Sequence, residues 1–218
     1  KRRRNWIAGK LSTRIMAEAK RFKLDPLAMA AIGRIESGYT PWARGKYGGV
    51  GRRQNEVGVW QLIPGDAPVV AARNSILGCV PSKYVSGWRK RIWAKRYKGK
   101  PCLYPDVGAR RSSIGRFTRS ELADLYIGTW AVAFEIRRHI DKAKKRYPKG
   151  YRAPRKAWWW RRWKKRNHGV SVTALERYTH YNTGSRFRPD HHYRRRVLRW
   201  YERIRNSVCG KPKAAATK

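Results

Sequence analysis

Residues 25–39 read DPLAMAAIGRIESGY, and the rest of the chain is interpreted outward from them. The stretch has the marks of a helix with defined ends. Asp25 suits the N-cap, where a carboxylate accepts from the first free backbone N–H groups, and Pro26 suits the first helical position. Gly38 suits the left-handed residue that closes a helix. Leu24, Ala28, Ala31, Ile32 and Ile35 recur at helical spacing and predict one buried stripe. Glu36 falls one turn after Ile32, at the edge of that stripe and at the negative end of the helix. Both features penalise a charged carboxylate, so a raised pKa is expected there. A carboxyl group that keeps its proton near neutrality is what a general acid needs.

Two further blocks give that carboxylate a context. Ile35-Glu36-Ser37-Gly38 is followed by Gly58-Val59-Trp60-Gln61-Leu62 and later by His180-Tyr181-Asn182-Thr183-Gly184. In this order the blocks resemble the soluble lytic transglycosylases, relatives of goose-type lysozyme that cleave peptidoglycan. That family's pattern is Glu-Ser, then Gly-Leu-Met-Gln, then Ala-Tyr-Asn-Ala-Gly. The resemblance implies a mostly α, lysozyme-like single globular domain over residues 6–206. Two basic insertions, at about 74–119 and 147–169, depart from the pattern. A loose basic arm is expected at 1–5 and a disordered basic tail at 207–218.

The resemblance also implies roles. Glu36 is the expected catalytic residue, with Ser37, Trp60, Gln61, Tyr181 and Asn182 lining the substrate cleft. Gln61 carries both a donor and an acceptor, suited to a sugar acetamido group. Trp60 replaces the family's Met; it can stack on a sugar ring or fill the core. Tyr181 is expected opposite Glu36, where its hydroxyl would orient the carboxyl, the plainer role being a buried core tyrosine. Asn182 would bind substrate or hold the turn. One Glu suffices in this chemistry: it protonates the bond between N-acetylmuramic acid and N-acetylglucosamine, then accepts a proton from the muramic C6 hydroxyl. Attack by that hydroxyl gives a 1,6-anhydro product. Most glycosidases instead use two carboxylates. The candidate for a second is Glu56, which otherwise balances Arg52 and Arg53.

Charge is the unusual feature. The 218 residues include 54 Lys and Arg against 13 Asp and Glu, a formal net charge of +41. Such a surface binds polyanions and must fold against its own repulsion. It suits either adsorption to an anionic cell wall or packaging beside nucleic acid in a phage particle, where other virion proteins would be neighbours. Its field favours ionised Glu36, but surface charges are screened within about 10 Å at ordinary salt, whereas desolvation acts at contact. The first residue is Lys1, so a processed or excised form is expected, with any export signal already removed. The location expected is a phage virion acting on the cell wall and periplasm, or else a secreted or periplasmic bacterial protein.

The other segments are read from their patterns. Ile7, Leu11, Ile15, Ala19 and Phe22 predict a helix packed beneath the Glu36 helix. Asp66 is expected to cap the next helix. Thr118-x-x-Glu121 is a capping box opening one long helix over 118–146, with Leu122, Leu125, Tyr126, Thr129, Ala133, Ile136 and Ile140 inward. Residues 158–166 read WWWRRWKKR. Such a segment can stack on bases, sit at an anionic membrane interface, stack on glycan, or simply fill one side of a core. Tyr193, Val197, Trp200, Tyr201 and Ile204 predict one buried face of a last helix opened by Pro189 and Asp190. Cys79 and Cys102 can be bridged outside the cytoplasm, although three ordinary thiols is the plainer reading. His and Cys show no metal spacing, and no cofactor is expected.

Overall fold

The computed structural model describes residues 2–44, 56–80, 87–99, 101–111, 115–146 and 192–210. Among these the chain is mostly helical, with isolated β-bridges in place of strands. Helix α1 spans Arg2–Phe22 and α2 spans Pro26–Ser37. Residues 2–5 of the loose arm expected at 1–5 are instead the start of α1. A helix whose later turns are packed extends cheaply, because its nucleus already exists. Leu11, Ile15, Ala19 and Phe22 are buried as their spacing predicts, with Ile7 half-buried.

Helix α2 has the ends its sequence calls for. Asp25 Oδ1 accepts from Leu27 N at 2.8 Å and from Ala28 N at 3.3 Å. Gly38 takes the left-handed conformation at φ 63°, and its N–H returns to the Arg34 carbonyl. Ala28, Ala31 and Ile32 are fully enclosed.

Beyond α2 come α3 (Ala67–Ser75), a short 3-10 turn (Leu77–Cys79), α4 (Trp88–Arg96), α5 (Pro105–Ala109), α6 (Arg119–Ala123), α7 (Leu125–Arg146) and α8 (His192–Cys209). The long helix expected over 118–146 is therefore two. The capping box at Thr118 and Glu121 is present, but the backbone turns extended at Asp124, with ψ 133°. Asp124 then caps α7, accepting from Tyr126 N at 2.8 Å and Ile127 N at 3.0 Å. Asp66 stands at the N-cap position of α3, yet its side chain makes no capping bond there. Helix α8 continues through Ser207, Val208 and Cys209, three residues into the expected tail.

The core forms where α2 packs against α8 and α1, and where α7 packs against α1, α3 and α6. Phe22, Tyr104, Phe117, Trp130 and Phe134 make an aromatic cluster with ring centroids 5.3–6.5 Å apart. The Leu122 carbonyl is a point of close approach for two glycines. A Cβ on Gly128 would lie 2.5 Å from that oxygen and one on Gly58 2.9 Å from it, so both positions require glycine.

Buried charge also occurs on α1. Glu18 is enclosed and pairs with Arg14 and Arg21, and burial pushes its carboxyl pKa up against the pull of both arginines. Burial also opposes ionisation of Asp106, but hydrogen bonds from Arg21 and Tyr126 outweigh it and hold its pKa at about 2. Cys79 and Cys102 form a disulfide, contrary to the plainer reading of three thiols, while Cys209 is a free, exposed thiol at the end of α8. Closing a loop of 23 residues stabilises a fold by about 3 kcal/mol in the chain-entropy picture.

Candidate active site

Glu36 occupies the last turn of α2, half-buried, where that helix ends against α8. The two helices are clasped at both ends by tyrosines. Tyr201 Oη donates to Asp25 Oδ2 at 2.9 Å, at the start of α2. Tyr193 Oη donates to Glu36 Oε1 at 2.6 Å, at its end. Eight residues of helix span about 12 Å, so α8 runs antiparallel along most of α2 with one hydroxyl on each acid. Arg196 adds a weaker contact at 3.5 Å to the Ile35 carbonyl, where a cation favours the negative end of α2.

Tyr193 is buried, and its pKa is raised well above 10, first by that burial and then by the adjacent Glu36. Its hydroxyl therefore stays protonated at any working pH and always has a hydrogen to give. A hydroxyl fixed in this way restricts the carboxyl of Glu36 to one orientation and directs its other oxygen elsewhere.

The end of α2 is tied to the turn that carries the second sequence block. Ser37 Oγ donates to the Val59 carbonyl at 2.8 Å and accepts from Thr40 N at 3.1 Å. Val57 and Leu62 exchange two backbone bonds, which close Gly58–Gln61 into a loop. Gly58, at φ 78°, lets this loop approach α6. Gln61 adopts φ 49°, and its Nε2 donates to Gly58 O at 2.9 Å and Ala43 O at 3.2 Å. Two carbonyl partners identify the nitrogen end of the amide. The part of the Gln61 amide left over is accordingly its carbonyl oxygen, where the sequence led us to expect both a donor and an acceptor.

Of the two readings of Trp60, the structure has the core filler and not the sugar platform. Trp60 is 1% exposed, and its Nε1 donates to Thr129 Oγ1 at 3.1 Å. Its ring packs between Gly33 of α2 and Gly128 of α7. It fills the core and offers no face to a sugar. Ser37 is likewise engaged by backbone, as a clasp between α2 and the turn. Tyr181, Asn182 and the segment 158–166 lie outside the described residues.

Sequence reasoning placed Tyr193 on a buried face but did not connect it with Glu36. Its periodicity with Val197 and Trp200 marks the inward side of α8; a contact made across 157 residues leaves no local signal. The Tyr193–Glu36 bond predicts that Tyr193→Phe lowers activity about tenfold, with a shifted pH–rate profile and a melting temperature only a few degrees lower. Loss of activity with an unmoved profile would assign Tyr193 to packing alone.

One further acid acts on this pair, and two others are linked to it in turn. Glu135 on α7 is buried, its Oε1 lies 3.5 Å from His139 Nε2, and burial raises its pKa while the contact with His139 lowers it. Its charge is felt by Tyr193, and it in turn feels the charge of Asp66. Glu56, half-buried, has its pKa raised by burial and then by Asp66. Four of the 13 acidic residues are thus linked in succession, Glu36 through Tyr193 to Glu135, then to Asp66 and Glu56. Elsewhere Glu18, Asp106, Glu121 and Asp141 pair with arginine. Among the described residues no Lys or Arg reaches Glu56 or Asp66, although the chain is rich in both. No group of three His, Cys, Asp or Glu among the described residues could hold a metal ion.

The chain matches no family model, and no curated protein or solved structure is significantly similar to it. What the site does is therefore read from its own geometry.

Proposed function

We propose that this protein is a lytic transglycosylase that cleaves peptidoglycan glycan strands, with Glu36 as its single proton shuttle. The observation that carries the reading is the Tyr193 hydroxyl 2.6 Å from Glu36, which fixes one carboxyl oxygen at the half-buried end of a capped helix. In the first half-reaction Glu36 gives its proton to the oxygen between N-acetylmuramic acid and N-acetylglucosamine, and the C1–O bond breaks. In the second, the muramic C6 hydroxyl attacks C1 and Glu36 takes the released proton. The carboxyl ends as it began, no water is consumed, and the product is a 1,6-anhydro sugar. The Gln61 carbonyl oxygen is suited to accept from a substrate amide N–H or hydroxyl. Tyr193 acts through Glu36, as a positioning residue.

A second reading is favoured by the neighbouring acids. Glu56 and Asp66, without a described cationic partner, supply the additional carboxylates that a hydrolase of the goose-type lysozyme kind would use to activate water. The two readings share Glu36 and differ in the product. A third leaves the fold unused for chemistry and assigns the +41 charge to nucleic acid in a virion.

The setting is proposed on the same footing: a phage particle acting on the wall, or a secreted or periplasmic enzyme. The Cys79–Cys102 disulfide fits an oxidising compartment. Among the described residues no helix is long and apolar enough to cross a membrane. Purified protein added to insoluble, protein-free peptidoglycan should release soluble muropeptides. Sacculi left intact by folded protein would exclude both enzymatic readings.

A further inference from the structure

Helix α4 stands apart from the core. All but one of its nine residues are exposed, and the exception, Trp93, is half-buried. Most surface helices bury an apolar stripe; one that does not needs another reason to be held in place. Among the described residues two features tie this one down. Trp93 Nε1 donates to the Leu77 carbonyl at 3.0 Å, and the Cys79–Cys102 disulfide closes the excursion that carries the helix.

The residues of α4 fall into an ordered pattern around its axis. At 100° per residue, Trp88 and Ile92 lie within about 40° of one another and form a ridge. Trp93 and the following Tyr97 fall on the opposite side, toward the protein, and both are half-buried. Trp88 is 69% exposed and Ile92 39%. Arg91 and Lys95 flank the ridge on one side, Arg89 and Arg96 on the other. The Arg89 guanidinium lies 6.0 Å from the Trp88 ring.

We infer that α4 is a membrane-surface element that lays the Trp88–Ile92 ridge into an anionic bilayer while its flanking cations meet the headgroups. Cations on long stems beside an apolar ridge can reach upward to phosphates as the ridge sinks. Positive charge alone would fit any polyanion. A solvent-facing Ile beside the Trp fits hydrocarbon better, since an aliphatic side chain gives bases nothing to stack on. The disulfide lets the element be presented without a core of its own. This surface is separate from Glu36 and does not depend on the chemistry proposed there.

The test is sedimentation with vesicles of phosphatidylglycerol and phosphatidylcholine, compared with phosphatidylcholine alone, at low salt and at about 0.5 M NaCl, where surface charge is largely screened. Wild type should bind the anionic vesicles and keep part of that binding at high salt. Trp88→Ser/Ile92→Ser should bind at low salt, through the rest of the basic surface, and lose at least about tenfold in affinity at high salt. Both side chains are exposed, so the variant should fold, as circular dichroism would check. Equal binding by wild type and variant at high salt would overturn the proposal, as would wild-type binding that salt abolishes. So would a variant that keeps its lipid binding but no longer retains a single-stranded oligonucleotide, which would assign the ridge to nucleic acid.

Discussion

Glu36→Gln should lower the rate of peptidoglycan solubilisation roughly a thousandfold while leaving the fold in place. The amide has nearly the shape of the carboxyl it replaces. Its carbonyl oxygen can still accept from Tyr193, so the α2–α8 clasp that the 2.6 Å bond provides is kept. What it cannot do is release a proton to a leaving oxygen or take one from an attacking hydroxyl. A thousandfold is about 4 kcal/mol of barrier, the size expected when the only general acid is removed. Turbidity clearing of purified walls, beside a thermal melt of both proteins, separates lost chemistry from lost fold. A variant that clears walls within a few-fold of wild type would remove Glu36 from the mechanism, however well placed it is.

Gly58→Ala should cost about 4 kcal/mol of stability, combining a strained left-handed residue with a backbone collision. The new Cβ would lie 2.9 Å from the Leu122 carbonyl and 3.0 Å from the Ala123 Cα, at φ 78°. Both neighbours are backbone, so neither can swing aside as a side-chain tip would. Relief has to come from moving the 57–62 turn away from α6. That turn holds Val59, which receives the Ser37 hydroxyl, and Gln61. Activity should accordingly fall more steeply than the melting temperature alone explains. Denaturant unfolding of the variant gives the stability; an unchanged midpoint would mean that the turn does not pack as tightly as described.

Much of this site was legible in the sequence because it is encoded locally. Asp25, Pro26 and Gly38 specify the ends of α2 through contacts within a few residues, and the structure returns each of them. The Thr118–Glu121 capping box is equally local and equally present. The break at Asp124 was missed although its signal was there: an acid two and three residues ahead of free N–H groups is a second N-cap. A continuous apolar stripe running through the break concealed it. Trp60 was ambiguous for a different reason. A tryptophan beside a candidate site block reads the same whether it faces a groove or a core, and only packing against Gly33, Gly128 and Thr129 decides. Tyr193 shows the limit most clearly, since burial follows from spacing but the partner of its hydroxyl depends on how α8 lies along α2. The convergence of Glu56, Asp66 and Glu135 likewise involves three separate elements and no motif.

The central claim is that one carboxyl, Glu36, cuts a glycan strand without water. Mass spectrometry of the soluble products from purified peptidoglycan tests it most directly. Muropeptides ending in 1,6-anhydro-N-acetylmuramic acid, lighter by one water than their reducing counterparts and absent from a Glu36→Gln digest, are the predicted result. Reducing ends throughout, or the same products from the Gln variant, would contradict it.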